Sequence, residues 1–99
     1  MRYIPKQKRI TKPAQHLSFI RSLSCMKCGN VRGGAFQFDN NPELSLPICA
    51  ECLTDRVGGY PLFRVEADSR ALARNLCLLS GDIYACINAI MNKKDGMFL

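Results

Sequence analysis

Two short stretches, SCMKCGNVRGG (24–34) and PICAEC (47–52), hold four of the six cysteines of this 99-residue chain. They form two C-x-x-C pairs, Cys25/Cys28 and Cys49/Cys52, with twenty residues between them. Thiols at this spacing suit a metal clip that holds the fold, a scaffold beside an active site, or a disulfide framework. Zinc takes four tetrahedral soft or borderline ligands, and two C-x-x-C turns side by side supply four thiolates. Such a site has no open coordination position, so it is structural rather than catalytic. Two readings compete for the same residues. A disulfide pair is one, disfavoured in a reducing cytosol. Iron–sulfur ligation is the other, although these pairs lack the usual cluster spacings.

The elements that must position these thiols are short. CMKCG reads as a zinc knuckle, a tight turn whose backbone N–H groups donate to thiolate sulfurs, with Gly29 supplying the permissive backbone that leaves it. Upstream, PAQHLSFIRSLS starts with Pro13, suited to a first helical turn, and spaces Leu17, Phe19 and Ile20 for one face, which predicts a helix over 13–22. The lone histidine, His16, reads there as a surface or capping residue. Downstream, GGAFQFDNNPELSLP alternates Ala35 and Gln37 with Phe36 and Phe38, breaks at DNNP, and resumes at Leu44 and Leu46, a β-hairpin pattern with both phenylalanines in the core. ICAECLTDRVGG begins in the second knuckle and runs into a helix that stops at Gly58-Gly59.

The last third reads as a helical hairpin, about 68–94, packed on the metal module. Asp68 or Ser69 caps a helix with Leu72, Leu76 and Leu79 on one stripe, ended by Gly81. Asp82 caps a second, with Ile83, Cys86, Ile87 and Ile90 on its stripe and Gly96 closing it. Cys77 and Cys86 lie outside either C-x-x-C pair and read as small buried hydrophobes.

Composition bounds the rest. At 11.1 kDa the core of a single domain gives only marginal stability, so a staple is expected. The 47% hydrophobic content excludes global disorder. No apolar run approaches the roughly 18–20 residues that span a bilayer, and the N-terminus is too basic for a signal-peptide core, so a cytoplasmic protein is expected. The net charge of +6 is unevenly placed. Residues 1–38 hold Arg2, Lys6, Lys8, Arg9, Lys12, Arg21, Lys27 and Arg32 and no acid, whereas residues 39–99 hold six bases and eight acids. Residues 1–12 have no apolar period and read as a basic arm preceding a single domain over 13–99. Such a segment suits a polyanion, since each cation that meets a phosphate releases condensed counterions.

The order QHLSFIRSLSCMKCGN, VRGG, LPICAEC, then a helix and ALARNLCLLSGD resembles the small phage-encoded HNH (ββα-metal) nucleases associated with recombination, over most of the chain. The resemblance implies an α+β, treble-clef-like module stapled by zinc, in which a strand histidine deprotonates the attacking water and helix and strand residues hold a catalytic divalent ion. Asn30 stands where that family's strand motif has a histidine, and Leu53 where a histidine follows the second cysteine pair. Asparagine takes no proton near neutral pH, and leucine ligates no metal. The interval between the knuckles is also shorter than in an active relative. Asp39, Glu43, Glu51 and Asp55 are carboxylates near the expected cleft but do not match the family's positions.

The expectation is therefore an HNH-like scaffold without catalysis. It keeps Zn2+ on Cys25, Cys28, Cys49 and Cys52 and meets nucleic acid, or a host nucleoprotein complex, through Lys6, Lys8, Arg9, Lys12, Lys27 and Arg32. No small-molecule substrate is implied. A phage-encoded, anti-CRISPR-like inhibitor of a host defence complex is an alternative from another class, as is an HNH endonuclease with an unconventional metal site.

Overall fold

A computed structural model describes residues 10–31, 33–54 and 63–98. Lys6, Lys8, Arg9, Arg32, Asp55 and the helix stop at Gly58-Gly59 lie outside the described residues. The elements run α1 (Pro13–Arg21), β1 (Phe36–Gln37), β2 (Ser45–Leu46), α2 (Ala50–Thr54), α3 (Glu66–Leu78) and α4 (Ile83–Lys93). The fold is α+β, with helices before and after a small antiparallel hairpin.

In the hairpin, Phe36 pairs with Leu46 and Gln37 with Ser45. The chain reverses at Asp39 and Asn40, both at φ 55°, the left-handed region that Asp and Asn tolerate better than most residues. The turn closes with the Asn41 N–H donating to the Phe38 carbonyl at 2.9 Å. The resemblance places a strand over NVRGG, but residues 30, 31 and 33–35 are irregular. Their backbone serves the knuckles instead.

β2 is the centre of the core. Ser45 and Leu46 are both fully buried, with α3 across one side and α1 on another. Ile20 and Leu23 from α1 and its exit, Phe38 from the hairpin, Ile48, Leu72, Ala73 and Leu76 from α3, and Cys86 and Ile90 from α4 complete it. Phe36 and Phe38 share a face as the alternation predicts, meeting edge to face with ring centroids 5.0 Å apart. Phe63 and Phe98 extend that cluster. Their rings stack at 5.5 Å, and the Arg64 N–H donates to the Met97 carbonyl at 2.7 Å, tying the C-terminal residues to the segment entering α3.

Four sequence expectations are corrected. His16 is buried, not at the surface: its Nδ1 lies 2.7 Å from the Ser80 hydroxyl, joining α1 to the α3–α4 turn. The pair satisfies two polar groups that burial would otherwise penalise. α3 starts before Asp68, with Val65 as N-cap and no side-chain cap bond. Glu66 and Asp68 compensate by placing negative charge in the first turn, and Ser69 is buried. On α4 only Cys86 and Ile90 of the expected stripe are buried, while Ile83 and Ile87 are 46% and 44% exposed. Cys77 is half-buried, its Sγ 4.0 Å from Glu43.

Asp82 does cap α4, accepting from the Ala85 N–H at 3.1 Å. Arg70 braces hairpin against helix: its guanidinium donates twice to Asp39, at 2.7 and 3.3 Å, and lies 4.9 Å over the Phe38 ring. Those hydrogen bonds hold the Asp39 carboxyl below its ordinary range.

In equilibrium denaturation, Leu46→Ala and Leu76→Ala should each lose about 2–5 kcal/mol as fully buried core truncations. Asp82→Ala, which removes a cap and no core, should lose about 1 kcal/mol.

Candidate metal centre

Cys25 and Cys28 sit in the turn that follows α1; Cys49 precedes α2 and Cys52 lies within it. The first knuckle closes on itself: the Gly29 N–H donates to the Cys25 carbonyl and the Cys25 N–H to the Asn30 carbonyl, each at 2.8 Å. Gly29 leaves the turn at φ +81°, the left-handed backbone for which glycine is the default residue. The second knuckle leads directly into α2, with the Leu53 N–H donating to the Cys49 carbonyl at 3.1 Å.

Two backbone contacts lock one knuckle to the other. The Met26 N–H donates to the Pro47 carbonyl at 2.8 Å, and the Cys49 N–H donates to the Cys25 sulfur at 3.3 Å. A third contact depends on a missing side chain. A β-carbon at Gly34 would fall 2.5 Å from the Ile48 carbonyl oxygen and overlap Cys49 Cα, so only glycine lets the segment entering the hairpin pass this close. The sequence shows the Gly33-Gly34 pair but not that its second member serves the second knuckle.

All four sulfurs lie within 4.8 Å of one another, with Cys25 3.8 Å from Cys52 and Cys28 3.7 Å from Cys49. A regular tetrahedron of bonds near 2.3 Å, the usual zinc–thiolate length, has edges of about 3.8 Å. No S–S bond joins any of the six cysteines, and the four sulfurs of the two pairs are close enough together to hold one metal ion. Cys25, Cys49 and Cys52 are buried and Cys28 is exposed.

The electrostatics favour a cation. Burial works against the Cys25 thiolate, yet N–H groups of Cys49, Cys28 and Lys27 directed at its sulfur outweigh that and bring it down to about 6 from 9.0. Burial pushes the Cys52 thiol well up, and its three sulfur neighbours push it further. A ready thiolate at Cys25 beside a Cys52 thiol that resists ionisation is the kind of donor set a metal ion resolves, because the ion's charge offsets the sulfurs around it. The arrangement can hold a metal ion through four thiolates.

The other site residues read from the sequence are dispersed. Asn30 is exposed and uses its backbone carbonyl in the first knuckle; Leu53 packs against the core. Lys12 is exposed at the N-terminus of α1, and Lys27 is half-buried with its ammonium 5.6 Å over the Phe98 ring. Asp39 is engaged by Arg70, and Glu43 and Glu51 are exposed. Among the described residues the four cysteines are the one group of three or more His, Cys, Asp or Glu side chains placed to share a metal ion. Among them, too, no helix is long and apolar enough to cross a membrane.

Comparison with family models, curated proteins and solved structures found no match to this chain.

Cys25→Ser and Cys49→Ser should each unfold the domain or sharply lower its melting temperature, with loss of bound metal measured by elemental analysis. Cys77→Ala, at a half-buried position away from the cluster, should shift melting by only a few degrees. Acid should act like the cysteine substitutions. The folded Cys25 value lies below the unfolded one, so its contribution to the metal-free fold is complete above pH 9.0 and lost as the pH falls through about 6. Protons compete with the metal over the same sulfurs, and retention against a chromogenic chelator should fall between about pH 7 and pH 5.

Proposed function

We propose that the protein is a non-catalytic module on a zinc-stapled HNH-like scaffold, acting by binding nucleic acid or a complex that handles it. The observation that carries this reading is the segregation of charge. The first 38 residues contain eight bases and no acid, and they lead into or form the first knuckle and the hairpin entry. Lys12 and Arg21, at opposite ends of α1, are both exposed, and α1 carries no acid. Zinc is the metal of choice for four thiolates in a small fold, and its binding energy, of order 10–16 kcal/mol in zinc-finger peptides, stabilises what the core alone holds weakly.

Three further features support binding rather than hydrolysis. A four-thiolate set has no open position for water or phosphate. The chain's one histidine is buried in its contact with Ser80, so it offers no exposed general base. Asn30, where the resembling nucleases have a histidine, takes part in the knuckle through its backbone.

Fluorescence anisotropy of a labelled DNA duplex, titrated with zinc-loaded protein at two salt concentrations, tests the binding. Affinity should fall steeply with salt. Replacing Lys6, Lys8, Arg9 and Lys12 with alanine should lower the slope of log K against log salt by about 3, as expected if most of the four meet phosphate. No binding at low salt would overturn the nucleic-acid reading. Robust plasmid nicking with magnesium or manganese, abolished by Asn30→Ala or Asp39→Ala, would overturn the non-catalytic one.

A further inference from the structure

α4 carries more apolar surface than the core uses. From Ile83 to Asn92 it contains no charged residue. Cys86 and Ile90 face inward, but Ile83, Ile87 and Met91 are 46%, 44% and 56% exposed, with Tyr84 beside them at 80%. Residues 83, 87 and 91 are four apart and form a single i±4 ridge along the outer face. A helix that is apolar on both faces belongs between two packing partners, and the fold supplies one. Beside the ridge, Ile87, Ile90, Met91 and Lys94 face Leu23 and Met26 across a groove of about 220 Å3.

We propose that this face binds the same face of a second copy of the chain, α4 against α4 in antiparallel orientation. The charges choose the occupant and the direction. Asp82, whose carboxylate caps the helix at the Ala85 N–H, immediately precedes Ile83; Lys93 and Lys94, followed by Asp95, come after Asn92, with no charge between Ile83 and Asn92. Under a two-fold axis at Ile87, Ile87 meets its own copy, Ile83 meets Met91 of the second copy, and each Asp82 falls opposite the other copy's Asn92, beside its Lys93 and Lys94. A parallel pair would set acid on acid and lysine on lysine. The ridge is thus self-complementary in shape order and in charge, as an isologous interface requires.

Sedimentation velocity on the full chain, metal-loaded and over a range of concentrations, reads the result directly. A concentration-dependent dimer is expected. Ile87→Glu places two carboxylates on the axis and should raise the dissociation constant by about 100-fold or more. Because Ile87 is already half exposed, the variant should keep its circular dichroism spectrum and its metal content, which separates lost association from lost folding. Lys94→Glu should weaken the dimer by about 3–10-fold at low salt and less at high salt. A wild-type monomer at every concentration would overturn the proposal and leave the ridge to another occupant, such as a partner protein. A dimer that survives Ile87→Glu, or one that Lys94→Glu tightens, would also overturn it.

Discussion

Everything in this fold depends on two turns, twenty residues apart in sequence, meeting at four sulfurs. The hairpin between them is only two residue pairs long, far too little to stand alone in water. Its ends are instead held by the knuckles, through the Met26 to Pro47 bond, the Cys49 N–H on the Cys25 sulfur, and the close passage at Gly34. Backbone takes part in every one of these contacts, and the only side chain among them is a cysteine of the cluster itself. A metal ion would turn four mutually repelling thiolates from a liability into the joint that fixes where β2 lies, and β2 carries the core.

From β2 the constraint spreads outward in two directions. α3 crosses it and is braced to the hairpin by Arg70, which meets Asp39 with its guanidinium edge and Phe38 with its face. The C-terminal residues return to the same region, where Phe63 and Phe98 extend the phenylalanine cluster and Lys27 from the first knuckle lies over Phe98. Ile10 and α1 are tied at the other end, through His16 to Ser80 and through the Ile10 N–H to the Ser80 carbonyl at 3.1 Å. The α3–α4 turn is therefore a junction for Ile10 and α1 as well as for α3 and α4.

Such an arrangement separates stability from recognition. The cluster uses four cysteines and the core buries the one histidine, while the described surface offers exposed bases on α1 and an uncharged ridge on α4. These surfaces suit different partners: an acid-free basic segment attracts a polyanion at long range, whereas an apolar ridge gains only from close, dry packing. A single small module can use both at once. A symmetric pairing through α4 would also present two copies of the basic segment to one polyanion, which raises affinity without any new contact type.

Residue type and spacing alone determined the four-cysteine cluster, the α1 helix, the hairpin with Phe36 and Phe38 inward, the Leu72/Leu76 stripe and the Asp82 cap. Each is a local signal: a turn spacing, a period of two or of about four, or a side chain that bonds three residues along its own backbone. What lay beyond that reach was decided by tertiary structure. His16 looks like a surface residue until Ser80, 64 positions away, arrives beside it. Gly34 looks like loop glycine until Cys49 presses against it, and Ile83 and Ile87 look like core until the other elements fill only the Cys86 and Ile90 side of α4. Burial and partnership belong to pairs of distant residues, and periodicity, which marks a face as apolar, does not say what that face will meet.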